Sequence, residues 1–217
     1  MPLNTRLVIF DWDGTLFDSV AQIVKSLCFA AEQHAQPLTP EAAKSVIGLG
    51  LPEVMHTLFP HVPHLHEAIT QSYKGFYPTL STQDKWFDGV ATMLHDLKQQ
   101  NILLAVATGK NRAGLDRVLK QTQSTDLFCI TRAASETQSK PHPQMLEEIL
   151  AYTGVEPGQA IMVGDSSYDL EMAQRLKMPR IGVSYGVHHE KTLAQYQPLS
   201  IEHNVTNLHH TLKQYIG

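Results

Sequence analysis

The sequence predicts an α/β protein: a doubly wound parallel sheet with a separate helical cap domain. Short apolar runs that end at polar turns alternate with segments whose apolar residues recur at the helical spacing. One long segment near the N-terminus interrupts this alternation and shows helical periodicity only. These observations divide the chain into a core domain at 1–16 and 84–217 and a cap domain at 17–83.

Four short apolar runs predict the buried strands of the sheet. A parallel strand covered on both faces is expected to be uninterruptedly apolar rather than alternating. A weaker fifth candidate lies at 127–130, and the last 30 residues or so predict a polar return to the surface. The four runs are Leu7–Phe10, Ile102–Ala107, Ala160–Val163 and Arg180–Val183.

Apolar residues spaced three and four apart predict the helices between these strands. The clearest stripes lie at Val20–Leu27, Val90–Leu97 and Met145–Leu150. The segment from about 17 to 82 contains only such patterns and no convincing strand, and Pro and Gly residues punctuate it. Because it directly follows the first strand, this insert is expected to form a lobe above the strand ends.

Composition and charge exclude several functional classes. Seventeen Lys and Arg against 21 Asp and Glu give a formal charge of −4, whereas non-specific nucleic-acid binders usually carry a basic surface. No run approaches the roughly 18 apolar residues of a membrane span, and the N-terminus lacks signal-peptide features. Cys28 and Cys129 are predicted to be buried free thiols. We therefore expect a cytoplasmic protein without nucleic-acid or membrane partners.

Four polar clusters follow predicted strands. Open α/β sheets bind ligands at the carboxyl ends of their strands, so separate clusters in these positions can meet at one point. This shared placement carries more weight than any cluster alone. The clusters are Asp11-Trp12-Asp13-Gly14-Thr15, Thr108-Gly109-Lys110, Ser139-Lys140-Pro141 and Gly164-Asp165-Ser166-Ser167-Tyr168-Asp169.

The acidic clusters have both a chemical and an ordinary structural interpretation. Asp11 and Asp13 can divide the work of nucleophile and general acid/base if their environments differ, although Asp is also common in turns and helix caps. Asp165 and Asp169 suit a hard cation with oxygen ligands, although acids are also favoured at a helix N-terminus. Neither cluster decides between the two interpretations by itself.

The other two clusters are equally open when taken singly. Thr108 offers a hydroxyl and Gly109 a backbone N–H that can hold phosphate oxygens, but both are also typical of a strand-end turn. Lys140 can place an ammonium group among phosphate oxygens, but a lysine is more often a solvated surface charge.

In order, spacing and strand context, the four clusters resemble the four motifs of the haloacid dehalogenase superfamily. The helical insert resembles the cap of the phosphoglycolate-phosphatase-like branch, and the resemblance covers nearly the whole chain. It implies a Rossmann-like core and a Mg²⁺-dependent phosphoric monoester hydrolase acting on a small phosphorylated metabolite. The fourth motif often reads Gly-Asp-Thr in the family, whereas this chain has Ser166, which also carries a hydroxyl.

The resemblance also implies the catalytic roles. Asp11 attacks phosphorus, forms an aspartyl-phosphate and binds Mg²⁺. Asp13 gives a proton to the leaving oxygen and later takes one from the hydrolytic water, while its backbone carbonyl binds the metal. Lys140 neutralises charge between the nucleophile and the phosphate.

The remaining implied roles concern binding. Thr108 and the Gly109 N–H hold phosphoryl oxygens together with Lys140. Asp165 binds Mg²⁺, and Asp169 supports the metal directly or through water. The cap is expected to select the leaving group.

Several alternatives stay open. Asp13 disfavours a dehalogenase, because that group lacks the second acid of the first motif. Ile23 stands where sugar-phosphate mutases of the superfamily carry a His, which disfavours a mutase. A pyrophosphatase and a catalytically silent phosphate-binding protein are further alternatives. The sequence identifies neither the substrate nor whether the protein is a monomer or a dimer.

Overall fold

The computed structural model describes residues 4–80 and 85–216, so the predicted domain boundary between residues 83 and 84 lies outside the described residues. The strands are β1 (Leu7–Phe10), β2 (Phe17–Asp18), β3 (Lys85–Trp86), β4 (Leu103–Thr108), β5 (Ile130–Ala133), β6 (Ala160–Gly164), β7 (Arg180–Val183) and β8 (Ser200–Glu202). The helices are α1 (Val20–Glu32), α2 (Pro40–Ser45), α3 (Leu51–Leu58), α4 (His66–Leu80), α5 (Val90–Gln99), α6 (Arg112–Gln121), α7 (Gln144–Thr153), α8 (Ser167–Arg175), α9 (Glu190–Leu193) and α10 (Val205–Tyr215).

The main sheet has six parallel strands in the order β5-β4-β1-β6-β7-β8. The first strand therefore lies between β4 and β6, with Phe10 in register with Val106 on one side and Val163 on the other. This arrangement confirms the predicted doubly wound α/β fold. It also brings the carboxyl ends of three strands to one edge, where ligands bind in such folds.

Helices cover both faces of this sheet. Side chains alternate between faces along a strand, and β1 accordingly sends Val8 and Phe10 into one hydrophobic layer and Leu7 and Ile9 into the other. The first layer includes residues of α5, α6 and α10, and the second includes residues of α7 and α8. Burial on both faces explains why the central strands are apolar throughout.

The C-terminal half of the core differs from the prediction in two places. The weak strand candidate at 127–130 is displaced, because Leu127 ends a 3₁₀ helix and β5 begins only at Ile130. The segment predicted to be a polar return adds β8 to the edge of the sheet, where it pairs with β7. β8 is the last strand of the sheet, and two of its three residues are only half-buried. It therefore lacks the continuous apolar run of a strand that is buried on both faces.

The prediction of buried thiols is wrong in part. Cys129 is exposed and Cys28 is half-buried, and both are free. Separately, no helix in the described ranges is long and apolar enough to cross a membrane.

Helices α1 to α4 pack around their own hydrophobic cluster, which includes Leu27, Met55 and Ile69. Two short strands connect them to the core: β2 pairs antiparallel with β3, so β2 contradicts the prediction of no strand between about 17 and 82. Phe17 belongs to the core cluster with Trp12. The separate cluster supports our proposal that 17–83 form a cap on a core of 1–16 and 84–217.

Candidate active site

Asp11 and Lys140 form a buried ion pair at the end of the central strand. Asp11 follows β1 directly, and its backbone N–H donates to the Val163 carbonyl, which continues the β1–β6 pairing by one residue. The Lys140 Nζ lies 2.9 Å from Asp11 Oδ1 and 2.6 Å from Asp169 Oδ1. Each of these three side chains is essentially inaccessible to solvent. The predicted convergence of distant clusters is therefore present at this point.

Three carboxylates are grouped around this pair. Asp11, Asp165 and Asp169 each contribute an oxygen, and these oxygens all lie within 4.8 Å of one another. Asp165 follows β6, while Asp169 lies in the first turn of α8, where it forms a capping box with Ser166. A cluster of buried carboxylate oxygens is the donor set that hard divalent cations prefer. The residues thus fit a magnesium site.

Neighbouring groups fix the orientation of Asp165. The Thr15 hydroxyl donates to its Oδ1 at 2.9 Å, and the Val187 backbone N–H donates to its Oδ2 at 2.7 Å. Gly14 has a φ of +80°, and a Cβ built there would lie 2.1 Å from Asp165 Oδ2. A side chain at position 14 would therefore displace the carboxylate.

The charges in this cluster are unbalanced. Burial raises the pKa of Asp11 well above its usual value, with the Lys140 ammonium opposing this and the other two carboxylates adding to it. Burial and the neighbouring Asp169 raise the pKa of Asp165 to about 7. Burial would lower the pKa of Lys140, but its two carboxylate partners outweigh burial and raise it. One ammonium, bonded to Asp11 and Asp169, faces three carboxylates, and a bound divalent cation would offset the excess negative charge.

Asp13 lies beside this cluster with partners of its own. Its Oδ1 accepts a hydrogen bond from the Ser19 hydroxyl and lies 2.9 Å from the Lys110 Nζ. Ser19 occupies the N-cap position of α1 but makes no side-chain cap, since its hydroxyl is directed to Asp13. The Asp13 carboxylate does not belong to the triad of Asp11, Asp165 and Asp169 found among the described residues.

Thr108 and Gly109 lie where β4 meets the cap. Thr108 is buried, and its hydroxyl accepts a hydrogen bond from the Lys110 backbone N–H at 3.2 Å. A Cβ added to Gly109 would lie 2.6 Å from the carbonyl oxygens of both Gly48 and Leu49. These two residues belong to the turn between α2 and α3, so the absence of a side chain at Gly109 allows this turn to approach the core.

A cavity of about 340 Å³ opens above these residues, between core and cap. Asp11 and Asp13 line it on the core side, so the two acids of the first cluster face the same enclosed space. Apolar side chains line the cap side. They are Ile23, Leu27, Val46, Ile47, Leu49, Leu51 and Val54.

The sequence analysis gave no role to Thr15, Ser19 or Lys110. Thr15 orients Asp165 across 150 positions of sequence, and Ser19 and Lys110 both hold Asp13. The signal available for Lys110 was its position directly after Thr108 and Gly109, at the end of a predicted strand where ligands are expected to bind. No local signal indicates that the Thr15 hydroxyl meets a carboxylate from another strand.

Comparison with known proteins identifies sequence relatives of this chain. The family model described as haloacid dehalogenase-like hydrolase matches residues 8–183. A Dickeya dadantii protein named "Probable phosphatase IndB" is 31% identical over 200 residues, covering 88% of this chain and 86% of that protein. A phosphoglycolate phosphatase of Aliivibrio fischeri is 28% identical, covering 90% and 91% of the two chains. The pyrophosphatase PpaX of Anoxybacillus flavithermus is 25% identical, with coverage of 90% and 91%.

A solved structure supports the fold independently. The crystal structure of a hydrolase from Pseudomonas syringae superposes with a TM-score of 0.90 at 21% identity, covering 98% of this chain and 100% of that one. The family model spans the strands from β1 to β7 and contains all four polar clusters. The chain therefore belongs to the haloacid dehalogenase-like hydrolase family.

Proposed function

We propose that this protein is a Mg²⁺-dependent phosphatase that hydrolyses a small phosphorylated metabolite through an aspartyl-phosphate on Asp11. The observation that carries this proposal is the buried grouping of the Asp11, Asp165 and Asp169 oxygens within 4.8 Å, with the Lys140 ammonium bonded to two of them. Asp11 of this grouping lines a cavity large enough for a small ester.

The first chemical step joins the substrate phosphorus to Asp11. A carboxylate oxygen of Asp11 attacks phosphorus, and the bond from phosphorus to the ester oxygen breaks. The Asp13 carboxyl group transfers its proton to that departing oxygen, so the product leaves as an alcohol. Ser19 and Lys110 hold the Asp13 side chain in place for this transfer.

The second step returns the enzyme to its starting state. Asp13, now ionised, takes a proton from a water molecule as that water attacks the phosphorus of the aspartyl-phosphate. The bond between phosphorus and the Asp11 oxygen breaks, which releases inorganic phosphate and regenerates both carboxyl groups. Thr108 and Gly109, at the end of β4, would hold phosphoryl oxygens through a hydroxyl and a backbone N–H.

Charge is the main obstacle to this chemistry. A carboxylate that approaches a phosphate monoester brings two anions together, and each unit-charge pair at ~4 Å costs about 4 kcal/mol at an effective dielectric of ~20. Lys140 offsets part of this repulsion. Asp11, Asp165 and Asp169 would hold Mg²⁺, with the Asp13 backbone carbonyl as a further ligand, and the ion would supply electrostatic stabilisation of the phosphoryl oxygens.

Phosphate release from p-nitrophenyl phosphate, with Mg²⁺ and with EDTA, tests this function. We expect hydrolysis that depends on Mg²⁺ and falls to background in EDTA, because without the ion a single ammonium must balance three buried carboxylates. Readdition of Mg²⁺ controls for denaturation by the chelator. The absence of Mg²⁺-stimulated hydrolysis of this or any small phosphate ester would contradict the proposal.

The physiological substrate needs a separate comparison. The matched relatives carry names for two different substrates, phosphoglycolate and pyrophosphate, at similar identities. A panel of phosphoglycolate, pyrophosphate and sugar phosphates distinguishes these activities. A phosphatase releases phosphate from the esters, a pyrophosphatase cleaves pyrophosphate, and a mutase converts one sugar phosphate into its isomer. Ile23, which lines the cavity from α1, offers no side-chain group for acid/base work in a mutase.

Mg²⁺ binding is expected to weaken as the pH falls. Asp165 has its pKa raised to about 7, so below neutral pH a bound metal must displace a proton from it. Between about pH 8 and about pH 6 the affinity should fall roughly tenfold, the effect of one such proton. Isothermal titration calorimetry in buffers of different ionisation enthalpy measures both the affinity and the proton release.

The same raised pKa links folding to pH in the metal-free protein. Because Asp165 holds its proton more tightly when folded, it contributes stability below its ordinary pKa of 3.8, and this contribution is lost as the pH rises through about 7. Mg²⁺ should therefore stabilise the fold more at the higher pH. Equal affinity at both pH values, without proton release, would contradict the assignment of Asp165 to the metal.

A further inference from the structure

The cavity has a second polar region apart from the reacting acids. Lys110 and Arg117, from the core, line it together with Tyr77 of the cap helix α4. The Lys110 Nζ lies 5.2 Å and the Arg117 Cζ 5.6 Å from the centre of the Tyr77 ring. The cavity thus combines an apolar cap wall with two cations that pack against one aromatic ring.

The two cations differ in how their charge is balanced. Lys110 is paired with Asp13 at 2.9 Å. Arg117 has no carboxylate partner among residues 4–80 and 85–216, and its buried Nε makes no hydrogen bond there. Arg117 as a whole is half-buried, but buried polar atoms such as its Nε are nearly always hydrogen-bonded in native proteins. An anionic ligand would supply the partner that Arg117 lacks.

The position of Arg117 limits what that anion can be. Asp11 and Lys140 already account for the reacting phosphoryl group, whereas Arg117 lies on α6 and contacts Tyr77. Stacking on an aromatic ring orients a planar guanidinium, which binds a carboxylate or phosphate through two parallel hydrogen bonds. The apolar residues of the cap would contact the part of the ligand between its two charged ends.

We infer, on the basis of the proposed phosphatase function, that the substrates are phosphate monoesters whose leaving group has an apolar middle and a second anionic group bound by Arg117. Arg117 is then a specificity-determining residue. The cavity of about 340 Å³ accommodates a ring-sized leaving group. The chain has a formal charge of −4, so a second negative charge on the substrate is expected to weaken binding. Any preference for a doubly anionic substrate must therefore come from a local contact.

Phenyl phosphate and 4-carboxyphenyl phosphate form a matched pair for testing this inference. They share the ester and the ring and differ only in a carboxylate at the far end. The measured quantity is the ratio of kcat/KM for the two compounds. We expect the wild-type protein to prefer the carboxylated ester by roughly ten- to hundredfold, the effect of a hydrogen-bonded charged contact. Arg117→Gln should bring the ratio close to one, and Arg117→Lys should restore part of it.

Lys120→Gln is the control for long-range electrostatics. Lys120 lies on the same helix and is exposed, so this variant removes the same unit charge without changing the cavity, and it should keep the wild-type ratio. A wild-type ratio near one, or a ratio that survives Arg117→Gln, would overturn the inference while leaving the phosphatase proposal intact. If the wild-type protein in Mg²⁺ hydrolyses neither of these esters nor p-nitrophenyl phosphate, the phosphatase proposal itself is overturned.

Discussion

Asp11→Asn is expected to lower kcat for p-nitrophenyl phosphate by roughly 10⁴-fold or more, because the substitution removes the nucleophile. An amide keeps the shape of the buried carboxylate, and Lys140 retains Asp169 as a partner at 2.6 Å. The variant should therefore remain folded. Steady-state kinetics and near-UV circular dichroism measure the two properties separately.

Asp88→Asn provides a matched control for this variant. Asp88 is exposed on the core, so the same chemical change there should leave turnover within about twofold of wild type. Acid quenching during turnover should also trap phosphate on the wild-type chain and none on Asp11→Asn. If Asp11→Asn keeps even roughly a tenth of the wild-type rate, Asp11 is not the nucleophile.

Lys140→Met is expected to lower the free energy of unfolding by about 3–5 kcal/mol, in addition to removing activity. Methionine is of similar length and equally able to fill a buried space. It leaves Asp11 and Asp169, both inaccessible to solvent, without the ammonium that bonds to each of them. Urea denaturation in EDTA measures this effect without a contribution from bound metal.

Lys213→Met separates the role of burial from the loss of an ion pair in general. The Lys213 Nζ lies 3.1 Å from Asp96 Oδ2, but both side chains are substantially exposed. Breaking such a pair should cost less than about 1 kcal/mol. Equal destabilisation by the two substitutions would show that Lys140 does not neutralise the buried carboxylates.

The strands were predictable in proportion to their burial. β1 and β7 match their predicted runs residue for residue, and β4 and β6 match within one residue at each end, because strands covered on both faces must be apolar throughout. The two-residue strand β2 gave no signal, since its pairing depends on where the chain returns from the cap. The edge strand β8 is only partly buried and therefore also lacked a continuous apolar run.

The site was predictable where position along a strand determines position in space. Asp11 and Asp165 directly follow neighbouring strands, so their proximity follows from the sheet order. The partners of these acids could not be predicted in the same way. Side-chain packing between the core and the cap determines whether Lys110 turns toward Asp13. It also determines whether Arg117 has a carboxylate as an ion-pair partner. Periodicity and spacing contain no information about such packing.

The aromatic contact between Trp12 and Trp86 gives the protein a built-in optical probe. These are the two tryptophans of the chain, and their ring centres lie 5.0 Å apart. One indole stands between Asp11 and Asp13, while the other lies on β3, where the chain re-enters the core. Any change in the pairing of β2 with β3 will alter the surroundings of both fluorophores, so intrinsic emission can report on the junction between the core and the proposed cap without labelling.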